Sequence, residues 1–167
     1  MQNRSRRQVS LEFLLFLALA GVIVIADQLS KAWIRNHLLP GEVFLDYGVF
    51  QIVYVRNTGA AFGIFPNQSP LLAVVSLLGV IVILLAYFLL PRYLPFLNSL
   101  PPRLTLGIIL GGTAGNLIDR FHFRYVTDFL GFTFWPAFNV ADASVTVGTL
   151  VLAVWFLWRG FPRSGNE

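Results

Sequence analysis

Long apolar stretches alternate with shorter polar connections along this chain, and four of the apolar stretches are long enough to cross a bilayer. A hydrocarbon core of about 30 Å requires roughly 20 mostly apolar residues in a helix. The four stretches are Leu11 to Asn36, Pro70 to Leu90, Leu104 to Phe121, and Val140 to Trp158. The pattern therefore predicts an all-α membrane protein with four transmembrane helices.

Two connections between these spans have patterns of their own. The segment Val49 to Val55 is rich in β-branched and aromatic residues and is followed by the turn signal Asn57-Thr58-Gly59, so we predict a small extracytoplasmic β-element there. The segment Phe129 to Phe138 is crowded with aromatic side chains, which predicts an interfacial aromatic loop. Because no long repeat or low-complexity linker interrupts the chain, residues 1–167 are predicted to form a single membrane domain.

Composition agrees with a lipid environment and excludes several kinds of chemistry. The chain is 56% hydrophobic and only 12% charged, with a mean hydropathy of +0.71. It has no cysteine, which excludes disulfides, thiolate nucleophiles and sulfur-ligated metals. The net charge is +4, but the basic residues are scattered rather than clustered with stacking aromatics, so no nucleic-acid partner is expected.

The basic residues instead indicate a membrane orientation. With four spans, the two terminal segments and the connection between the second and third spans lie on one side. These segments carry Arg4, Arg6, Arg7, Arg92, Arg103, Arg159 and Arg163. The positive-inside rule makes this side, and both termini, cytoplasmic. Since the first apolar run continues through Ile25, we expect a retained anchor rather than a cleaved signal peptide.

Ionisable residues in or beside a span need a partner or a purpose, because a charge in lipid is costly. Asp27 and Lys31 lie four residues apart near the end of the first span, so they share a helix face and can form an ion pair. A purely structural pair explains them as well as a functional one does.

The third span combines a small-residue stripe with polar residues at its end. The stripe consists of Gly107, Gly111 and Gly115, and the polar end of Asn116, Asp119 and Arg120. The glycines predict close approach of another helix and need no functional explanation. Asn116 and Arg120 share a face and could orient a carboxylate or a substrate carbonyl, whereas an interfacial anchor formed by Asp119 and Arg120 is an equally good reading.

Two further aspartates lie near the start of the fourth span, Asp128 before it and Asp142 in its first turn. Asp128 follows Val126-Thr127 and precedes Phe129, and taken alone it could be an exposed loop carboxylate. Asp142 lies three residues after Asn139, so Asn139 can cap the fourth helix while the helix dipole favours the charge of Asp142. The predicted topology nevertheless brings Asp128 and Asp142 to the same side as Asp27, Asn57 and the end of the third span.

The residue inventory limits the chemistry of such a site. Lys31 is the only lysine and its neighbour Ser30 points elsewhere on the helix, which disfavours a Ser-Lys nucleophile. The two histidines, His37 and His122, form no zinc-binding motif, so neither metal nor cofactor is expected. A carboxylate pair that shares a proton needs neither: one member accepts a proton from water while the other donates to a substrate carbonyl.

Five ordered blocks of this sequence resemble the lipoprotein signal peptidase family, also called signal peptidase II, a bacterial family of aspartic peptidases (family A8). The blocks are Asp27-Gln28-Leu29-Ser30-Lys31, Asn57-Thr58-Gly59-Ala60-Ala61-Phe62, the run from Gly111 to Arg120, Val126-Thr127-Asp128-Phe129, and Phe138-Asn139-Val140-Ala141-Asp142. The resemblance implies that Asp128 and Asp142 are the catalytic dyad. It implies supporting or substrate-binding roles for Asp27, Lys31, Asn57, Gly59, Asn116, Arg120 and Asn139.

The same resemblance implies a reaction and its partners. The expected enzyme hydrolyses a prolipoprotein before its diacylglyceryl-modified cysteine, at the outer face of the bacterial cytoplasmic (inner) membrane. Its expected partners are the lipidated precursors, membrane lipids and an inhibitor of the globomycin type, and it is expected to act as a monomer. Only 13 residues separate Asp128 from Asp142, which is short for the family, and Ala143 replaces an expected hydroxyl residue.

Two other classes of protein fit parts of the pattern. A small proton-coupled transporter would also use intramembrane carboxylates, but it predicts polar residues throughout the membrane depth, and the interior of the second span has only Ser76 and Tyr87. An assembly subunit would use the glycine stripe for packing and catalyse nothing.

Overall fold

The protein is described by a computed structural model that covers residues 5–60 and 64–160. Four helices run along most of the chain: α1 (Arg6–His37), α2 (Ser69–Tyr93), α3 (Leu100–Phe123) and α4 (Val140–Gly160). Four strands lie between them: β1 (Val43–Asp46), β2 (Phe50–Asn57), β3 (Val126–Phe132) and β4 (Trp135–Phe138). Ala61 and Phe62 of the second sequence block, and Arg4 and Arg163, lie outside the described residues.

Each predicted span is a helix, and the helices extend beyond the predicted bounds. α1 begins earlier because Ser5 caps it, its side chain accepting the N–H of Gln8 at 3.2 Å. α2 continues through Pro91 to Tyr93. α3 ends where Arg124 adopts a left-handed conformation with φ of 64°.

Within the described residues, three of the four helices are long and apolar enough to cross a membrane, namely α1, α2 and α4. The chain is therefore a multi-pass membrane protein. The most apolar stretch of α3 is less apolar than those of the other three helices because α3 is the inner helix of the bundle, where it packs against α1, α2 and α4. Its interior side carries glycine and polar residues where a lipid-facing helix carries large apolar ones.

The predicted glycine stripe packs on α1. A Cβ added at Gly107 would lie 2.7 Å from the carbonyl oxygen of Phe16, and one at Gly111 would lie 2.6 Å from that of Ala20. A Cβ at Gly115 would lie 2.5 Å from Asp27 Oδ2. Real Cβ atoms do not approach so closely, so the stripe is what allows α3 to lie against α1.

The four strands form one antiparallel sheet in the order β1-β2-β3-β4. The predicted β-element corresponds to β2, but the expectation of a loop at Phe129 to Phe138 is wrong, because that segment belongs to β3 and β4. Strand β2 pairs with β1 on one side and with β3 on the other, and its Val55 pairs with Asp128 of β3. The short connection between the two aspartates is therefore a hairpin.

Two apolar clusters hold these parts together. Phe16, Ala20, Tyr87 and Leu110 join α1, α2 and α3 in the bundle. Ile34, Leu38, Tyr54 and Phe129 fasten the sheet to the end of α1. The sheet is thus fixed at one end of the bundle, over the polar end of α3.

Candidate active site

A cavity of about 770 Å³ lies beneath the sheet, between α2 and α4 and above α3. Its polar wall includes Asn57, Gly59, Ser76, Asn116, Arg120, Asp128 and Asp142. Its apolar wall includes Val126, Trp135, Pro136, Phe138, Val145 and Val147. Six of the nine candidate site residues, Arg120 among them, line this polar wall, and the other three, Asp27, Lys31 and Asn139, lie outside the cavity lining.

Asp128 is buried at the third position of β3, with 2% of its surface exposed. Its carboxylate accepts hydrogen bonds from Asn57 Nδ2 at 2.9 Å and from Asn139 Nδ2 at 2.7 Å. Burial, and after it the nearby charge of Asp142, raise its pKa, while the two amide donors and Lys31 lower it, and the net result is a rise from 3.8 to about 7. Asp128 is therefore not an exposed loop acid, and it carries a proton at neutral pH for a substantial share of the time.

Asp142 and Asn139 cap the start of α4 reciprocally. The Asp142 N–H donates to Asn139 Oδ1 at 2.9 Å, and the Asn139 N–H donates to Asp142 Oδ2 at 3.3 Å. The capping interpretation of Asp142 is thus confirmed. The same Asn139 side chain donates to Asp128, so one asparagine contacts both members of the acid pair.

Asn116 links Lys31 to Asp142, and its neighbours determine which way its amide points. Lys31 Nζ donates to Asn116 Oδ1 at 2.9 Å, and Asn139 Nδ2 donates to the same oxygen at 3.2 Å. Since lysine can only donate, the Asn116 oxygen must face it, and the Asn116 NH₂ group is left to donate to Asp142 Oδ1 at 2.7 Å. The Asn116 amide therefore connects the buried Lys31 ammonium to the Asp142 carboxylate through two hydrogen bonds.

The predicted ion pair between Asp27 and Lys31 is confirmed, at 2.8 Å with both side chains fully buried. Asp27 also accepts the N–H of Ala141 at 2.9 Å. The pair is therefore more than a polar end to α1, because Asp27 also links α1 to the first turn of α4, beside Asp142.

Asp119 does not form the interfacial anchor with Arg120 that its sequence position allowed. Its side chain is buried and bonds to other parts of the described structure. Asp119 is fully buried and accepts the N–H of Thr127 at 2.9 Å, with Lys31 at 3.4 Å and Arg35 at 3.5 Å. Arg35 also donates to Thr127 Oγ1 at 3.0 Å. These contacts hold the residue before Asp128, but they depend on a pairing of β3 with α1 and α3 that no local spacing reveals.

Asn57 and Gly59 form the turn that closes one side of the cavity. The Gly59 N–H donates to Asn57 Oδ1 at 2.9 Å, which leaves the Asn57 NH₂ group free to face Asp128. A Cβ at position 59 would lie 2.8 Å from the carbonyl oxygen of Ile64, so glycine is required there. Arg120 lies across the cavity and donates to Ser76 Oγ at 3.3 Å.

A family model for signal peptidase (SPase) II matches residues 19–158, which include both aspartates and every residue of the surrounding network. The chain belongs to the signal peptidase II family. Among its relatives, the lipoprotein signal peptidase of Dehalococcoides mccartyi (strain 195) is 49% identical over 144 residues, which are 86% of this chain and 89% of the relative. That of Moorella thermoacetica is 42% identical over 153 residues, or 91% and 98% of the two chains.

Two solved structures share the fold of this signal peptidase II family member. A bacterial membrane enzyme determined by the in meso method at 2.3 Å resolution superposes with a TM-score of 0.78 at 25% identity, over 91% of this chain and 93% of that one. A second, determined at 1.9 Å, has a TM-score of 0.72 at 26% identity, over 86% and 93%.

Proposed function

We propose that this chain is an aspartic endopeptidase that removes the signal peptide from prolipoproteins, with Asp128 and Asp142 as its catalytic dyad. Family membership supports the peptidase activity and leaves the transporter alternative unsupported. The residue assignment rests on one observation: Asn139 contacts both aspartates, and both aspartates line the same cavity. Their unequal surroundings provide the acid and the base that peptide hydrolysis needs.

In the proposed reaction Asp128 enters as the protonated acid, and Asp142 as the base. Asp142 takes a proton from water while the water oxygen bonds to the scissile carbonyl carbon, and Asp128 donates its proton to the carbonyl oxygen. The tetrahedral intermediate then returns a proton to Asp128 as the carbonyl reforms. Breakage of the C–N bond passes the proton on Asp142 to the leaving amine, which restores both carboxyl groups.

The surrounding residues have distinct proposed roles. Asn57 and Asn139 orient Asp128, while Asn116, held by Lys31 and in turn by Asp27, orients Asp142. Gly59 allows the turn that places Asn57. Arg120 presents a guanidinium to the cavity, suited to a peptide carbonyl of the substrate.

The shape of the cavity supports a substrate that stays in the bilayer. α2 and α4 pack on different sides of α3, and the cavity lies between them. Val147, 55% exposed on α4, belongs to its wall, so the cavity reaches the lipid-facing surface. A precursor could place its signal helix and diacylglyceryl chains in lipid and present the bond before the modified cysteine to the dyad.

The sheet supports four spans rather than three. β2 precedes α2 and β3 follows α3, yet they pair with each other. If α2 crosses the membrane, α3 must cross back to return the chain to the same sheet. With Arg92, Arg103 and Arg159 at the opposite end, we propose cytoplasmic termini and an active site at the outer face of the inner membrane.

The same cavity is the proposed binding site for a globomycin-type cyclic peptide, since it offers peptide-binding donors beside an apolar wall. Both carboxylates of the proposed dyad come from one chain, which is compatible with a monomeric enzyme.

Cleavage of a synthetic precursor that carries a diacylglyceryl cysteine tests this function. Purified wild-type protein in detergent should release the signal peptide, whereas Asp128→Asn and Asp142→Asn should each reduce kcat by at least about 1,000-fold. Asp46→Asn, the same change at an exposed carboxylate of β1, is the matched control. Near wild-type cleavage by either dyad variant would rule out the assignment.

A further inference from the structure

Ser76 is one of the few polar residues on the mostly apolar helix α2, and none of the roles proposed above involves it. Its hydroxyl donates to the carbonyl oxygen of Leu72 at 2.8 Å, which uses the only hydrogen that a serine side chain can donate. The remaining lone pairs can therefore only accept. Arg120 Nη1 lies 3.3 Å from this oxygen.

Close packing of α2 on α3 brings Ser76 to the cavity wall. A Cβ added at Gly79 would lie 3.4 Å from Thr113 Cγ2, so the two helices approach one another about one turn from Ser76. Both Ser76 and Thr113 line the cavity. The long side chain of Arg120 reaches back along α3 toward this wall, as helical side chains point toward the N-terminus of their helix.

The position of Arg120 is unusual because negative charges surround it. Asp128, Asp142 and Asp119 all act electrostatically on its guanidinium. Nevertheless, in residues 5–60 and 64–160 Arg120 forms no ion pair within 4.0 Å, and its hydrogen bond is to Ser76. A guanidinium has several N–H donors, so most of them are left for a ligand in the cavity.

We propose that Ser76 is a positioning residue that holds the guanidinium of Arg120 at the α2 wall, directed toward a substrate carbonyl and separated from the two catalytic carboxylates. The inference rests on the proposed function of the cavity. In the absence of the hydroxyl, Arg120 moves toward Asp128 and Asp142, because nothing else on α2 accepts a hydrogen bond from it.

This movement has an electrostatic signature at Asp128. The charged groups around that carboxyl are Asp142 from α4, Lys31 from α1, Arg120 from α3 and, at the mouth of the cavity, Arg56 from β2. A cation that approaches a carboxyl favours its ionised form and lowers its pKa. Loss of Ser76 should therefore move the alkaline limb of the activity profile to lower pH.

The test compares full-length wild-type protein, Ser76→Ala and Ser76→Thr in detergent. Ser10→Ala is the matched control, since the Ser10 hydroxyl makes the same kind of bond, to Arg6 O at 3.1 Å, at the far end of α1. kcat/KM for the lipidated precursor is measured against pH. Ser76→Ala should lose roughly tenfold, as expected for a hydrogen bond to a charged group, with its alkaline limb at lower pH. Ser76→Thr and Ser10→Ala should retain the wild-type limb.

A second readout separates this inference from the proposed function. The infrared band of the protonated carboxyl that disappears in Asp128→Asn reports the titration of Asp128 without any cleavage. Wild-type protein that cleaves nothing would overturn the proposed function, whereas the infrared titration would still decide the role of Ser76. An unmoved Asp128 titration in Ser76→Ala, at whatever rate, would overturn the inference.

Discussion

Asn139 donates a hydrogen bond of 2.7 Å to Asp128 while it caps the helix that carries Asp142, the second member of the proposed dyad. The two tasks use different atoms of one amide, because the oxygen accepts the N–H of Asp142 and the NH₂ group faces Asp128. Stability and activity should therefore respond differently to different substitutions at this position.

Asn139→Ala removes both interactions, while Asn139→Ser keeps an oxygen that can cap the helix but cannot reach Asp128. We expect the serine variant to be more stable than the alanine variant by about 1 kcal/mol, the usual contribution of an N-cap. Both should lose roughly 100-fold in kcat. Thermal unfolding in detergent and cleavage kinetics check the two expectations, and equal stability of both variants would contradict the cap.

The pH dependence of cleavage should report the raised pKa of Asp128. The acid role requires its protonated form, so activity should fall as pH rises through about 7, the pKa of this buried carboxyl. The Asn57 donor stabilises the ionised form and lowers that pKa. Asn57→Ala should consequently move the alkaline limb to higher pH, opposite to Ser76→Ala. A limb that moves downward in Asn57→Ala would contradict the proposed protonation state.

The contact of α3 with α1 should tolerate no side chain at Gly111. The backbone oxygen of Ala20 lies 2.6 Å from where a Cβ would be, and separating two packed backbones costs roughly 1–3 kcal/mol. Gly21→Ala, on α1 with nothing within 4 Å of its Cβ position, is the matched control. It should be neutral or slightly stabilising. Equal unfolding temperatures for the two variants would show that the helices separate freely.

The natural absence of cysteine makes the proposed topology directly measurable. Single cysteines at Tyr47, Tyr93 and Phe134 replace side chains that are 73%, 79% and 74% exposed. In intact cells without an outer membrane barrier, an impermeant maleimide should label positions 47 and 134. Position 93 should react only after the inner membrane is opened. Labelling of positions 47 and 134 from opposite sides would contradict four spans.

Local spacing predicted the parts of the fold and site whose partners lie close in sequence. Four helices follow from the apolar stretches, the Asp27 ion pair from a four-residue interval, and the cap of α4 from a three-residue interval. In each case helix geometry alone fixes the contact.

Contacts between distant segments could not be predicted in this way. The bond between Asn57 and Asp128 spans 71 residues and depends on the register of β2 against β3. The bonds of Asp119 and Arg35 to Thr127 support that register, and they join α3 and α1 to β3 in a way that no local spacing reveals. The segment Phe129 to Phe138 was predicted as a loop for the same reason. Its strand β3 pairs with β2, which lies far away in sequence, and no local pattern reveals that pairing.

The pairing of β2 with β3 also has a consequence for biosynthesis. Ribosomes deliver α1, β2 and α2 long before β3 and α4, so a nascent chain inserts half of its helices while the acid pair does not yet exist. With Asp128 and Asp142 as the proposed dyad, a chain that ends before α4 cannot hydrolyse a neighbouring precursor, because Asp142 lies on α4. Co-expression of two fragments divided between α2 and α3 should therefore reconstitute cleavage, with neither half active by itself.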